Sequence, residues 1–165
     1  MLIRVLFVCL GNICRSPTAH GVFQKMVEER GLSKAILVDS AGTGAWHMGK
    51  APDARATDAA SQRGYDLSPL RARQVSVEDF SRFDHVIAMD ESNLADLQVL
   101  KDKQGKGVEP VLFLGTWLPQ ASERNVPDPY YGGEEGFEHV LDLVEAASQS
   151  LLDSLIADYP GLRGL

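Results

Sequence analysis

The chain contains only two cysteines, Cys9 and Cys14. That is too few for a disulfide scaffold and, without further ligands at zinc spacing, too few for a structural zinc site. The histidines, His20, His47, His85 and His139, show no ligand spacing either, so no metal and no cofactor are expected. Positive charge is scarce: 16 Lys and Arg stand against 23 Asp and Glu, a net charge of −7. This excess argues against a nucleic-acid surface, and any anionic ligand must be captured by a local field. No apolar run reaches the roughly 18–20 residues needed to span a bilayer, so no membrane partner is expected. Met1-Leu2-Ile3-Arg4 runs straight into a strand-like segment with no basic stretch and cleavage site before it, which places the expected compartment in the cytoplasm.

What is present is concentrated near the N-terminus. The apolar run Val5-Leu6-Phe7-Val8 leads into Cys9-Leu10-Gly11-Asn12-Ile13-Cys14-Arg15-Ser16-Pro17, which opens what reads as a helix. Sulfur placed between a buried strand and a helix N-terminus meets converging partial positive charge, which favours the thiolate. The N–H groups from Leu10 through Arg15 can curl into an anion-binding nest, with Gly11 and Asn12 the residues expected to tolerate left-handed backbone. Arg15 adds a planar fork able to hold two phosphoryl oxygens. Ser16 can hydrogen-bond the thiolate, and Pro17 suits the first helical turn. A nucleotide loop fits poorly, because no Gly-Lys-Ser/Thr follows the glycine. The whole reads as a phosphate cradle with a nucleophile at its centre.

The 165 residues suit one domain, residues 1–165, with a single core. Apolar, β-branched runs at Ile3–Val8, Ile36–Asp39, His85–Met89 and Val111–Leu114 predict four buried parallel strands. Helical stripes separate them: Ala19, Val22, Phe23, Met26 and Val27 precede an Arg30-Gly31 stop. Phe137, Val140, Leu141, Val144, Leu151 and Leu155 predict a long C-terminal helix ended by Pro160-Gly161. Such alternation implies an α/β fold, a three-layer sandwich with a central four-stranded parallel sheet and helices on both faces. Ligands bind such sheets beyond the carboxyl ends of the strands. Cys9, Ser40 and Asp90 are expected just past strand ends, with the long loop Gly115–Gly133 leaving the same edge. A loop beyond about 12–15 residues favours function over simple connection. It carries Asp128-Pro129, which alone reads equally as turn initiation or as a placed acid.

C-x5-R-S, as Cys9 to Ser16 within VCLGNICRSPTA, resembles the low-molecular-weight protein-tyrosine phosphatases. The likeness continues in order through Asp39-Ser40, Trp46, Pro52-Asp53-Ala54-Arg55-Ala56, Ala72-Arg73-Gln74, Met89-Asp90-Glu91-Ser92-Asn93 and Asp128-Pro129-Tyr130-Tyr131, essentially the whole chain. The resemblance implies hydrolysis of phosphotyrosine in protein substrates through a phosphocysteine, without metal, releasing inorganic phosphate. Cys9 is the implied nucleophile, Arg15 the phosphate-binding residue and Asp128 the general acid and base. Leu10, Gly11, Asn12, Ile13, Cys14 and Ser16 are the implied binding loop, and Trp46, Tyr130 and Tyr131 the aromatic walls for a phenyl ring. Ser40 resembles part of a supporting network with Asn12. A histidine often completes that network before the A-R-Q stretch, where Leu70 stands here. Asp53 and Asp90 read equally as loop anchors or as helix caps. Related protein-arginine phosphatases carry a small threonine where this chain has Ile13, so the isoleucine is a tyrosine-type signal.

Three rivals remain. Arsenate reductases share this loop but pass oxidation to later cysteines, and this chain has none after Cys14. A non-catalytic phosphoprotein-binding module needs neither thiolate nor acid. A small-molecule phosphatase is separated only by comparing substrates. A monomer is the expected state.

Overall fold

The computed structural model describes residues 1–165. Four strands, β1 (Ile3–Cys9), β2 (Ile36–Gly42), β3 (His85–Ala88) and β4 (Val111–Leu112), form one sheet in the order β2-β1-β3-β4. All three pairings are parallel, with Phe7 opposite Ser40 and Ile87, and Cys9 opposite Gly42. The helices are α1 (Arg15–Glu29), α2 (Ala54–Gln62), α3 (Asp79–Arg82), α4 (Glu91–Gln104), α5 (Phe113–Trp117) and α6 (Glu134–Asp158).

Strand alternation sorts the core into two layers. Ile3, Val5, Phe7 and Cys9 of β1 face a larger cluster that includes Val22 and Phe23 of α1 and Val144 and Leu151 of α6. Leu6 and Val8 face a smaller one that includes Phe80 of α3 and Leu97 of α4. Both faces of the sheet are therefore covered, as the three-layer expectation requires, and the sulfur of Cys9 falls on the α1 side. There Phe7 packs edge-on against Phe23 and Phe113 at centroid distances of 5.8 and 5.3 Å, which fixes the floor from which the loop springs.

All four expected strand ends move: β1 runs one residue further, so Cys9 is its last residue and not just past it, β3 stops at Ala88 one residue short of Met89, and the other two shift by more. The strand predicted over Val111–Leu114 ends at Leu112, and Phe113 and Leu114 open α5 instead; both side chains are fully buried, and an apolar run that short satisfies either geometry. The loop predicted from Gly115 therefore begins after Trp117. β2 continues past Asp39 to Gly42, so Ser40 lies inside the strand and not beyond it. The extension is possible because Gly42 has no side chain: a Cβ there would sit 2.7 Å from Leu10 O and 3.1 Å from Asn12 N. No helix is long and apolar enough to cross a membrane.

Candidate active site

β1 delivers Cys9 to the sheet's carboxyl edge, and the next five residues curl over its sulfur before α1 begins. Asn12 carries the turn, with φ of 57°, the one positive φ among non-glycine residues. Gly11, expected to share it, does not take a positive φ. What Gly11 supplies is clearance, since a Cβ there would meet His47 Cδ2 at 3.0 Å. The strained Asn12 is held on both sides: its Nδ2 donates to Ser16 Oγ at 2.8 Å, and its Oδ1 accepts the Arg73 N–H at 3.0 Å. Left-handed backbone in a residue with a Cβ persists only where the surroundings determine it this fully.

Cys9 is 3% exposed. Its sulfur accepts the Asn12 N–H at 3.3 Å and lies 3.1 Å from Ser16 Oγ. The Ser16 hydroxyl has one proton and two acceptors in reach, Cys9 Sγ and Ala41 O, the latter at 3.3 Å. It can donate to the sulfur when that is a thiolate and to the carbonyl when the thiol itself donates. The N–H groups of Ile13, Cys14, Arg15 and Ser16 have no acceptor within the protein, and α1 has no side-chain cap. Unpaired donors, a helix N-terminus and sulfur are thus gathered within one loop, an arrangement suited to an oxyanion that is also to be attacked. The two cysteines are not equivalent. Burial, followed by the negative charge of Asp53, Cys9 and Asp128, pushes the Cys14 thiol up to about 12, leaving it protonated at neutral pH.

Arg15 is 3% exposed and is aimed by two acceptors, Asp90 Oδ2 at 2.5 Å and Val126 O at 3.1 Å. Its Nη2 reaches within 3.8 Å of Asp128 Oδ2. Burial opposes the guanidinium's charge, but Cys9, Asp90 and Asp128 together outweigh it and hold its pKa above the ordinary value. For Asp90 the cap reading holds, because Oδ1 caps α4 through the Asn93 N–H at 2.7 Å, while Oδ2 holds the Arg15 side chain and not a loop backbone. Asp53 is both a cap and a loop anchor, since its Oδ1 accepts the Arg55 N–H and its own N–H donates to Ile13 O at 2.8 Å.

The resulting cleft of about 440 Å³ is lined by Cys9, Leu10, Gly11, Ile13, Cys14, Arg15, Trp46, His47, Asp128, Tyr130 and Tyr131. Trp46 and Tyr131 are 70% and 92% exposed, walls open to an incoming ring. Expected loop members Asn12 and Ser16 are not part of the lining; their side chains lie beneath the loop and brace it. His47 joins the lining although its spacing marks no metal site, and its place beside Trp46 is the sequence signal for it.

Ser40 also departs from expectation. Its Oγ is 3.1 Å from His20 Nδ1 of α1 and makes no bond to Asn12. His20 and Leu70 border the same groove, so an imidazole from the helix lines the groove that also holds the leucine found in place of the expected histidine. Burial pushes the pKa of His20 down, against the pull of Asp39. The unfolded chain therefore takes up this proton first as pH falls below about 6.5. The stability it contributes is complete above that pH and is lost on acidification. Urea unfolding of His20→Asn should show a shallower loss of stability between about pH 6.5 and pH 5 than the native chain. An identical slope would show that His20 does not titrate differently on folding.

A family model described as low molecular weight phosphotyrosine protein phosphatase matches residues 4–160. A low molecular weight protein-tyrosine-phosphatase of Streptomyces coelicolor is 45% identical over 154 residues, covering 92% of this chain and 93% of that protein. The crystal structure of YfkJ from Bacillus subtilis aligns with a TM-score of 0.89 at 36% identity, over 96% of this chain and 98% of the other. That of a Drosophila arginine phosphatase aligns with a TM-score of 0.86 at 31% identity, over 92% and 97%.

Proposed function

The chain belongs to the low molecular weight phosphotyrosine protein phosphatase family, and from that premise we propose how this phosphoric monoester hydrolase uses the site around Cys9. The phosphoryl group of a phosphotyrosine protein sits on the unpaired N–H groups of the loop, and Arg15 holds two of its oxygens. The Cys9 thiolate attacks phosphorus in line. The P–S bond forms as the P–O bond to the phenol breaks, and Asp128 passes its proton to the departing oxygen. Water then attacks the phosphocysteine while Asp128 takes a proton from it, breaking the P–S bond and releasing inorganic phosphate with the thiolate restored. The chemistry calls for no metal and no cofactor.

One observation carries this reading: Cys9 Sγ, 3.3 Å from Asn12 N and 3.1 Å from Ser16 Oγ, shares its loop with the N–H groups of Ile13 to Ser16, which have no partner within the protein. A phosphate-reading module would need the donors but not the sulfur. Tyrosine is the preferred leaving group because Trp46, Tyr130 and Tyr131 give the cleft aromatic sides, suited to a ring between them. The chain acts as a single domain, residues 1–165, as a cytoplasmic monomer with neither nucleic acid nor membrane as partner.

Phosphoarginine is the second reading, favoured by the likeness to the Drosophila enzyme. Bulk at Ile13, which lines the cleft, weighs against it. Phosphate release from phosphotyrosine, phosphoserine and phosphoarginine peptides, measured with a metal chelator present, tests both. Turnover confined to phosphotyrosine is the expected result, and a higher kcat/KM on phosphoarginine would overturn the tyrosine assignment.

A further inference from the structure

Arg55 lies outside the cleft, exposed at the start of α2, yet it touches parts of the molecule that must stay in register. Its Nε and Nη2 donate to Oδ1 and Oδ2 of Asp53 at 3.1 and 3.0 Å. Asp53 is itself tied to the phosphate loop by its N–H bond to Ile13 O at 2.8 Å. The guanidinium carbon stands 5.3 Å from the ring centroid of Tyr130 and 4.9 Å from that of Phe137. Phe137 is 4% exposed in the first turns of α6, so it is a fixed wall. A planar cation with one edge in a two-point carboxylate grip can meet neighbouring aromatic rings without further ordering cost.

Tyr130 connects this clamp to the chemistry. Its N–H donates to Asp128 Oδ1 at 3.0 Å, so where Tyr130 goes, the carboxyl of Asp128 follows. Other contacts secure the backbone on either side: the Val126 N–H bonds Met89 O at 2.8 Å, and a Cβ built on Gly136 would touch Pro129 Cβ at 3.4 Å. The Tyr130 ring has less support. It meets Tyr131 edge-on at 5.0 Å, but Tyr131 is 92% exposed and itself unsupported.

We propose that Arg55 is a positioning residue for proton transfer: through Asp53 and Tyr130 it couples the acid loop to the phosphate loop and sets where Asp128 stands over Cys9. The proposal rests on Asp128 being the acid, and Arg55 touches neither phosphate nor the leaving group. Loss of its guanidinium should therefore injure the reaction in proportion to how much the leaving oxygen needs a proton.

The test compares native protein, Arg55→Met and Asp128→Asn on phenyl phosphate, whose leaving group requires protonation, and on p-nitrophenyl phosphate, whose leaving group does not. kcat/KM is read for each, with inhibition by inorganic phosphate alongside. Asp128→Asn should lose about 100-fold more on phenyl phosphate than on the nitrophenyl ester. Arg55→Met should show the same asymmetry at about tenfold, part of the full general-acid contribution, with phosphate inhibition unchanged. Equal losses on the two esters, or weakened phosphate inhibition, in Arg55→Met while Asp128→Asn shows the asymmetry would overturn the role of Arg55 alone. Absence of the asymmetry in Asp128→Asn would remove Asp128 as the acid, and the coupling with it.

Discussion

Cys9→Ser is expected to lower kcat on a phosphotyrosine peptide by on the order of 10⁵-fold while leaving the peptide bound, because it removes the nucleophile and little else. That factor corresponds to about 7 kcal/mol of transition-state stabilisation. Serine is nearly isosteric, and the donors that face Cys9 Sγ, the Asn12 N–H and Ser16 Oγ, remain to satisfy its oxygen. A buried serine hydroxyl in that position does not ionise and so cannot replace the thiolate as nucleophile. The unpaired N–H groups from Ile13 to Ser16 and the Arg15 fork are untouched, so phosphate should bind as before. Calorimetric titration with the peptide, paired with single-turnover phosphate release, reads both halves. Turnover within tenfold of native would remove Cys9 from the chemistry, and bound peptide with no turnover is the expected outcome.

The loop was legible in the sequence because strand, turn, sulfur, guanidinium and helix start are contiguous there, so spacing alone implies geometry. The same locality made Asp90 and Asp53 readable as caps, and both do cap. Asp128 is different. It comes to within 3.8 Å of Arg15 only after the whole sheet has formed, and nothing local in Asp128-Pro129 separates an acid from a turn. Resemblance, not pattern, singled it out.

Other features were hidden because their cause is tertiary. Gly42, three residues past the end expected for its strand, carries no local sign of its role until the loop packs on it, when a Cβ would strike Leu10 O. The His20 and Ser40 pair requires α1 to lie across β2, which no periodicity states. The apolarity of Phe113 and Leu114 predicts a strand, yet a two-residue strand followed by a short helix buries them equally well. Such errors stay small because the sheet order and the strand ends that position Cys9 do not depend on them.

Arg15→Lys should lower kcat/KM by about 10²–10³-fold although charge is conserved, since the guanidinium serves several directions at once. One nitrogen is committed to Asp90 Oδ2 and Val126 O, at 2.5 and 3.1 Å, while the other extends toward Asp128. An ammonium in the same place pairs with Asp90 and has no rigid second arm for phosphate. Arg15→Met goes further and leaves the Asp90 carboxylate, 22% exposed, without its cation, a change that costs about 3 kcal/mol where a buried pair is broken. Adding Asp90→Asn removes that stranded charge while its Oδ1 can still accept the Asn93 N–H. The double variant should therefore regain most of the melting temperature lost in Arg15→Met and none of the activity. That split separates the two jobs of the ion pair, because stability depends on charge balance at Asp90 whereas turnover depends on a forked donor at phosphorus. Recovery of activity together with stability in the double variant would show that Arg15 acts only by supporting the loop, and a near-native kcat/KM in Arg15→Lys would show that charge alone suffices.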